Sequence, residues 1–131
     1  VPKKYITDQL SDNFTLLEFR NDVVELLYLS ELVVLPSFYR EGVPRILMEA
    51  MALKKPIITT DNVGCRELVE DGKNGYLVPI KDSNELANRV MELMVDEEKS
   101  KTFGEYGRQK VVKEFDDKII VSLLLKELYR I

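Results

Sequence analysis

Short β-rich runs alternate with stretches of helical periodicity along the first 80 residues, and this alternation constrains the fold more than any other feature. Parallel strands cannot be joined by a tight hairpin, so strand–helix–strand order implies βα units around a parallel sheet. Strands are expected at Phe14–Phe19, Leu32–Leu35, Pro56–Thr59 and Gly75–Val78. Helices are expected near Asp22–Leu29 and Pro44–Lys54, with a short helical turn around Cys65–Glu70. Lys3–Leu10 reads as the tail of a further helix. After Val78 the pattern changes to consecutive helices. Asp82 with Glu85 three residues on resembles a capping box, and Leu86, Val90, Leu93 and Met94 form an apolar stripe. A second helix is expected from about Asp96 to Glu114, and a third from an N-cap at Asp116 to near Tyr129. The expectation is an α/β fold: a single domain over 1–131, with a Rossmann-like parallel sheet within 14–78 and C-terminal helices over 82–131.

Composition removes several function classes. The chain has 131 residues and a net charge of −4, so it lacks the basic excess that nucleic-acid binding requires. With no histidine, it cannot contain a His-based triad, a His general base or a His metal site. One cysteine, Cys65, forms no internal disulfide, which fits a reducing compartment. No apolar run is long enough to span a membrane, and no signal-peptide pattern opens the chain. The sequence begins Val-Pro rather than with Met, so a piece of a longer polypeptide is expected.

The run Ser37–Met51, SFYREGVPRILMEAM, holds two glutamates with seven residues between them, Glu41 and Glu49. Pro44 suits a first helical position, where its missing N–H is not needed. From there Ile46, Leu47, Met48, Ala50, Met51, Ala52 and Leu53 cover nearly the whole circumference, so the helix is buried on most sides. Arg45 and Glu49, a turn apart, form the one polar stripe, which must meet water, a partner charge or a ligand. The preceding loop, Pro36–Val43, leaves a strand at its C-terminal end, where open α/β sheets place ligands. Free backbone N–H groups and a partial positive charge at the helix start favour phosphate there. Glu49 sits roughly 7 to 8 Å down the axis from Pro44 at about 1.5 Å per residue. The order carboxylate, anion site, carboxylate matches the sugar, diphosphate and ribose of a nucleotide sugar.

The run LPSFYREGVPRILMEAMALKKPIITTDNVGCRELVEDGKNGYLV resembles the donor-binding, C-terminal half of the retaining GT-B glycosyltransferases of family 4. The likeness rests on the Glu41/Glu49 pair together with Pro36-Ser37, Glu41-Gly42, Glu49-Ala50-Met51, Pro56 and Gly72-Lys73-Asn74-Gly75, and extends from about Phe14 to the last helix. The resemblance implies that Glu41 contacts donor-sugar hydroxyls as the catalytic carboxylate and that Glu49 binds the ribose. Gly42, Val43, Pro44 and Arg45 would approach the sugar and diphosphate. Phe19, Arg20 and Asn21, in the turn Phe19–Asp22, would line the nucleobase, and Thr60–Gly64 would flank the same cleft. It further implies sugar transfer with retention of configuration, hexosyltransferase-like, from a UDP- or GDP-linked donor. No cofactor and no DxD-bound metal is expected. The implied acceptor is a glycan, a lipid-linked oligosaccharide or a polysaccharide. It would be bound by an N-terminal domain of the same chain that lies before residue 1, as do the cations that grip the diphosphate. A cytoplasmic location follows, with peripheral association of the full protein at the inner face of the membrane; the isolated domain is expected to be inactive. One departure is that the usual Ala-x-Gly-x-Pro reads Ala52-Leu53-Lys54-Lys55-Pro56, with Lys55 expected in the glycine's place.

Blander roles stand beside these. Glu49 could be no more than an ion-pair partner of Arg45, in the weaker Arg-before-Glu orientation. Arg40 and Arg45 are either phosphate ligands or solvated arginines, and Gly64 either lends an amide to the cleft or makes a sharp turn. Cys65 has no histidine to activate it and is expected to pack. Asp71–Gly75, DGKNG, lacks alternating acidic ligands and is expected to be a turn rather than a calcium loop. At the level of function, a non-catalytic nucleotide-sugar-binding or assembly module is the alternative to an enzyme domain. A dehydrogenase is the weaker third reading, since no G-x-G-x-x-G follows a strand.

Overall fold

The computed structural model describes residues 12–17, 21–37 and 42–115. Eight elements follow in order: α1 Val23–Leu29, β1 Val33–Leu35, α2 Arg45–Ala52, β2 Ile57–Thr60, α3 Val63–Leu68, β3 Gly75–Val78, α4 Ser83–Val95 and α5 Glu97–Glu114. The strands form a parallel sheet in the order β1-β2-β3. Register pairs Val33 with Ile57 and Ile57 with Gly75, and Leu35 with Thr59 and Thr59 with Leu77. This is the expected α/β architecture.

Alternation along the strands divides the core into two layers. Val33 and Ile57 face a cluster with Leu47, Ala50 and Met51 of α2 and with Cys65 and Leu68 of α3. Ile58, Tyr76 and Val78 face the opposite side, against Leu93 of α4 and Phe103 of α5. The longest helix, α5, serves both layers: Phe103 joins one cluster and Val111 the other. It passes the strand starts at close range. A Cβ on Gly104 would lie 2.1 Å from the Lys54 carbonyl oxygen, so only glycine permits this approach. Arg108 Nη1 donates to the Ala52 carbonyl at 2.5 Å beside it. α5 thus packs across the strand starts.

Local chemistry explains most helix boundaries. Asp82 Oδ1 accepts from the Glu85 N–H at 3.0 Å, and Asp96 Oδ1 from the Lys99 N–H at 2.9 Å, so both acidic N-caps work as expected. α2 begins one residue later than the proline. Pro44 is extended, with ψ 122°, and acts as the cap whose carbonyl accepts from the N–H groups of Leu47 and Met48. α3 starts two residues earlier than expected, because Asn62 Oδ1 caps it through the Cys65 N–H at 3.2 Å. At the far end of α2, Lys54 takes φ +62°, and the Lys54 and Lys55 N–H groups bond the Met51 and Ala50 carbonyls. This is a Schellman ending in which Lys54, not Lys55, occupies the left-handed position that glycine fills most easily. Asp71–Gly75 is a turn, with Gly72 at φ +80° and the buried Asn74 bonded to the Glu70 N–H and the Leu68 carbonyl.

The strand expected at Phe14–Phe19 is not observed in the residues described. Residues 14–17 carry no strand, and Phe14 and Leu17 are both exposed. A strand exists only when its backbone groups find a ladder, and among the described residues none pairs with this run. Glu18 and Phe19, the helix tail Lys3–Leu10 and the third C-terminal helix from Asp116 lie outside the described residues. No described helix is long and apolar enough to cross a membrane.

Candidate functional site

Among the described residues, the candidates Gly42–Arg45 and Glu49 follow β1 along the chain and lead into α2. β1 gives way to Pro36 and Ser37, and the chain returns at Gly42 to enter α2. Gly42 is exposed, with no neighbouring atom within 4 Å of where a Cβ would stand. Val43 is half-buried and Pro44 buried, so the backbone just ahead of α2 is anchored on one side and open on the other. The first N–H groups of α2 have no partner within the helix, and the positive end of the helix dipole lies there. An anion is the natural occupant of such a position.

One turn into α2, Arg45 Nε donates to Glu49 Oε1 at 3.2 Å, so the structure brings this pair together. The two ends of the bond differ sharply, because the Arg45 side chain is 70% exposed and that of Glu49 only 12%. Glu49 is therefore a largely sheltered carboxylate held by a solvated guanidinium. Asn21 is exposed, one residue ahead of the Asp22 cap of α1. Glu41, Phe19, Arg20 and Arg40 fall outside the described residues.

Sequence reasoning placed Thr60–Gly64 beside the cleft but missed how polar side chains at the end of β2 are bonded. Thr59 is fully buried, and its Oγ1 donates to the Leu35 carbonyl at 2.8 Å while lying 3.2 Å from Cys65 Sγ. Thr60 Oγ1 donates to the Ser37 carbonyl, and Asn62 Nδ2 approaches the same oxygen at 3.4 Å. Two adjacent threonines in a wholly buried strand were the available signal, since buried hydroxyls need partners. Cys65 is buried and packs in the core as expected. Gly64 is the buried second residue of α3, not a turn.

Known proteins fit this geometry. The sequence profile described as "Glycosyl transferases group 1" matches residues 4–110. EpsD of Bacillus subtilis (strain 168) is 40% identical over 91 residues, which cover 70% of this chain and 24% of EpsD. The N-acetyl-alpha-D-glucosaminyl L-malate synthase of Bacillus anthracis is 34% identical over 113 residues, covering 86% of this chain and 29% of that enzyme. Among solved structures, Anabaena HepE in complex with UDP-glucose superimposes with a TM-score of 0.82 at 29% identity, covering 98% of this chain and 36% of HepE. The chain thus spans about a quarter to a third of the length of these curated relatives.

Proposed function

The chain belongs to the group 1 glycosyl transferases, and from that premise we propose that it is the donor-binding half of a retaining enzyme, hexosyltransferase-like and of family 4. In this reading the chain corresponds to the C-terminal half of a GT-B fold. It holds a UDP- or GDP-linked sugar whose glycosyl group passes to a glycan, lipid-linked or polysaccharide acceptor. The acceptor is bound by a second domain of a longer polypeptide, which works in the cytoplasm against the inner membrane face. The observation that supports the reading best is the opening of α2. An anion-favouring helix start lies at the end of a parallel strand, and a sheltered carboxylate sits one turn in. HepE, similar over nearly the whole of this chain, was solved with UDP-glucose bound.

The chemistry follows from charge. As the bond from the anomeric carbon to the diphosphate stretches, negative charge grows on the leaving oxygen. The free amides and positive dipole end ahead of α2 meet that charge without reorganising. Glu49 receives ribose hydroxyls, and Glu41 contacts sugar hydroxyls to orient the anomeric carbon toward the acceptor. The test is a paired measurement on the full-length protein, with UDP-glucose and GDP-mannose as probes: calorimetric binding, and release of nucleoside diphosphate in the presence of acceptor extract. Saturable binding of one probe with acceptor-dependent release is expected. Binding without any release would favour a non-catalytic module, and binding of neither probe would remove the donor site altogether.

A further inference from the structure

We infer that Thr60 and Asn62 are positioning residues, which register the exit of β1 against the start of α3 and so fix the backbone that leads into the donor site. The inference rests on the donor-binding reading above. The ladder between β1 and β2 ends at Leu35–Thr59. Beyond it side chains make the link. Thr59 Oγ1 holds the Leu35 carbonyl, and two residues on Thr60 Oγ1 and Asn62 Nδ2 converge on the Ser37 carbonyl. A carbonyl oxygen has two lone pairs, so this acceptor can serve both donors.

Asn62 links two loops at once. It is only 8% exposed. Its Oδ1 accepts from the Cys65 N–H at 3.2 Å, which turns its Nδ2 toward Ser37 and toward Thr60 Oγ1 at 3.4 Å. The amide therefore has one defined orientation, with the cap of α3 on one side and the β1 exit on the other. A β-branched apolar side chain would suit a buried strand end as well as threonine does, but it could not hold Ser37. The core of α2 is anchored separately by Leu47, Ala50 and Met51. Loosening the clamp should therefore shift the loop while leaving the helix that carries Glu49 in place.

The test uses Thr60→Val, which removes the hydroxyl at constant shape, and Asn62→Asp, which keeps the Oδ1 cap but turns a carboxylate oxygen on the Ser37 carbonyl. Thr60→Ser is the rescue control. In the full-length enzyme, calorimetric UDP affinity should stay within about twofold in all three. The kcat/KM for UDP-glucose should fall about tenfold or more in T60V and N62D and stay within about twofold in T60S. Amide hydrogen exchange at Ser37, Gly42 and Val43 should quicken in T60V and N62D. Unchanged turnover with unchanged exchange would overturn the inference. So would a common decline of turnover, UDP affinity and melting temperature in all three variants, which marks a merely structural contact. If the unsubstituted enzyme binds UDP without turning over any donor, the transfer reading fails, and the exchange rates alone decide the clamp.

Discussion

Glu49 lies on the one polar stripe of α2, yet its side chain is 12% exposed, and the partner holding it, Arg45, is 70% exposed. As a stabilising contact this pair is weak. Exposed i,i+4 pairs contribute about 0.3–0.5 kcal/mol, less with arginine N-terminal to glutamate. The two readings of Glu49 therefore separate experimentally. If the carboxylate exists for the ion pair, Arg45→Ala and Glu49→Ala should be equally mild. If it receives ribose hydroxyls, Glu49→Ala should weaken nucleotide binding on the order of tenfold to a hundredfold, the equivalent of about 1.5–3 kcal/mol for charged hydrogen bonds. Arg45→Ala should then do little. The second outcome is expected, and calorimetry on the full-length protein with UDP reads it directly. Equal affinities for the two variants would return Glu49 to the role of a surface ion pair.

Packing of α5 on α2 is where element-scale energetics are most visible. Gly104 and Gly107 both face inward from α5, but their surroundings differ. A Cβ at 104 would stand 2.1 Å from the Lys54 carbonyl oxygen, a backbone atom that cannot swing aside. At 107 the nearest atom is Asn74 Cβ at 3.4 Å, an ordinary contact. Gly104→Ala should therefore destabilise by at least about 2 kcal/mol by prying the helices apart. Gly107→Ala should be neutral or slightly stabilising, since alanine gains about 1 kcal/mol over glycine inside a helix. Urea unfolding of the two variants checks the contrast; equal losses would mean that α5 does not pack as described. The same contrast explains what was legible in sequence. Asp82 and Asp96 bond amides only three residues on, and the helix starts there were legible from local pattern. The threonine and asparagine clamp joins positions 23–25 apart, and α5 meets Lys54 some 50 residues back. No local pattern encodes such meetings. Phe14–Phe19 is the complementary case: the run is apolar and β-prone, but 14–17 meet no ladder partner among the described residues.

At the scale of the whole molecule, two hydroxyl–carboxylate bonds tie the C-terminal helices to the body. The Tyr76 hydroxyl donates to Glu92, with Lys99 and Arg89 alongside, and the Tyr106 hydroxyl donates to Glu70 at 2.8 Å, with Lys110 near. Each bond lowers its carboxylate below the ordinary glutamate range, chiefly through the tyrosine donor. Burial first and then the Glu92 bond raise Tyr76, and the Glu70 bond raises Tyr106. A depressed carboxylate adds stability that is present above its unfolded value and lost as pH falls through the folded one. A raised tyrosine adds stability that is present below its unfolded value, about 10, and lost as pH climbs toward the folded one. The melting temperature should therefore hold through neutral pH and fall on both sides, below about 4 and above about 10. The double variant Tyr76→Phe/Tyr106→Phe should show shallower limbs at both extremes; limbs as steep as those of the unsubstituted protein would contradict this origin. Sequence alone did make the overall scheme legible, with a parallel sheet and trailing helices. It hid that α5 packs across the strand starts.

The proposed ligand site lies at the opposite end, where β1 and β2 end and α2 begins. The strand starts offer a competing concavity of about 280 Å³, lined by Leu32, Lys54, Pro56, Leu93 and Lys101 among others. A titration of the ¹⁵N-labelled chain with UDP, followed by amide chemical shifts, distinguishes the two ends and registers binding as weak as about 1 mM. The largest shifts are expected at Gly42, Val43 and Glu49, with Lys54, Lys101 and Gly104 stationary. Shifts centred on Lys54 and Lys101, or none at millimolar UDP, would contradict it.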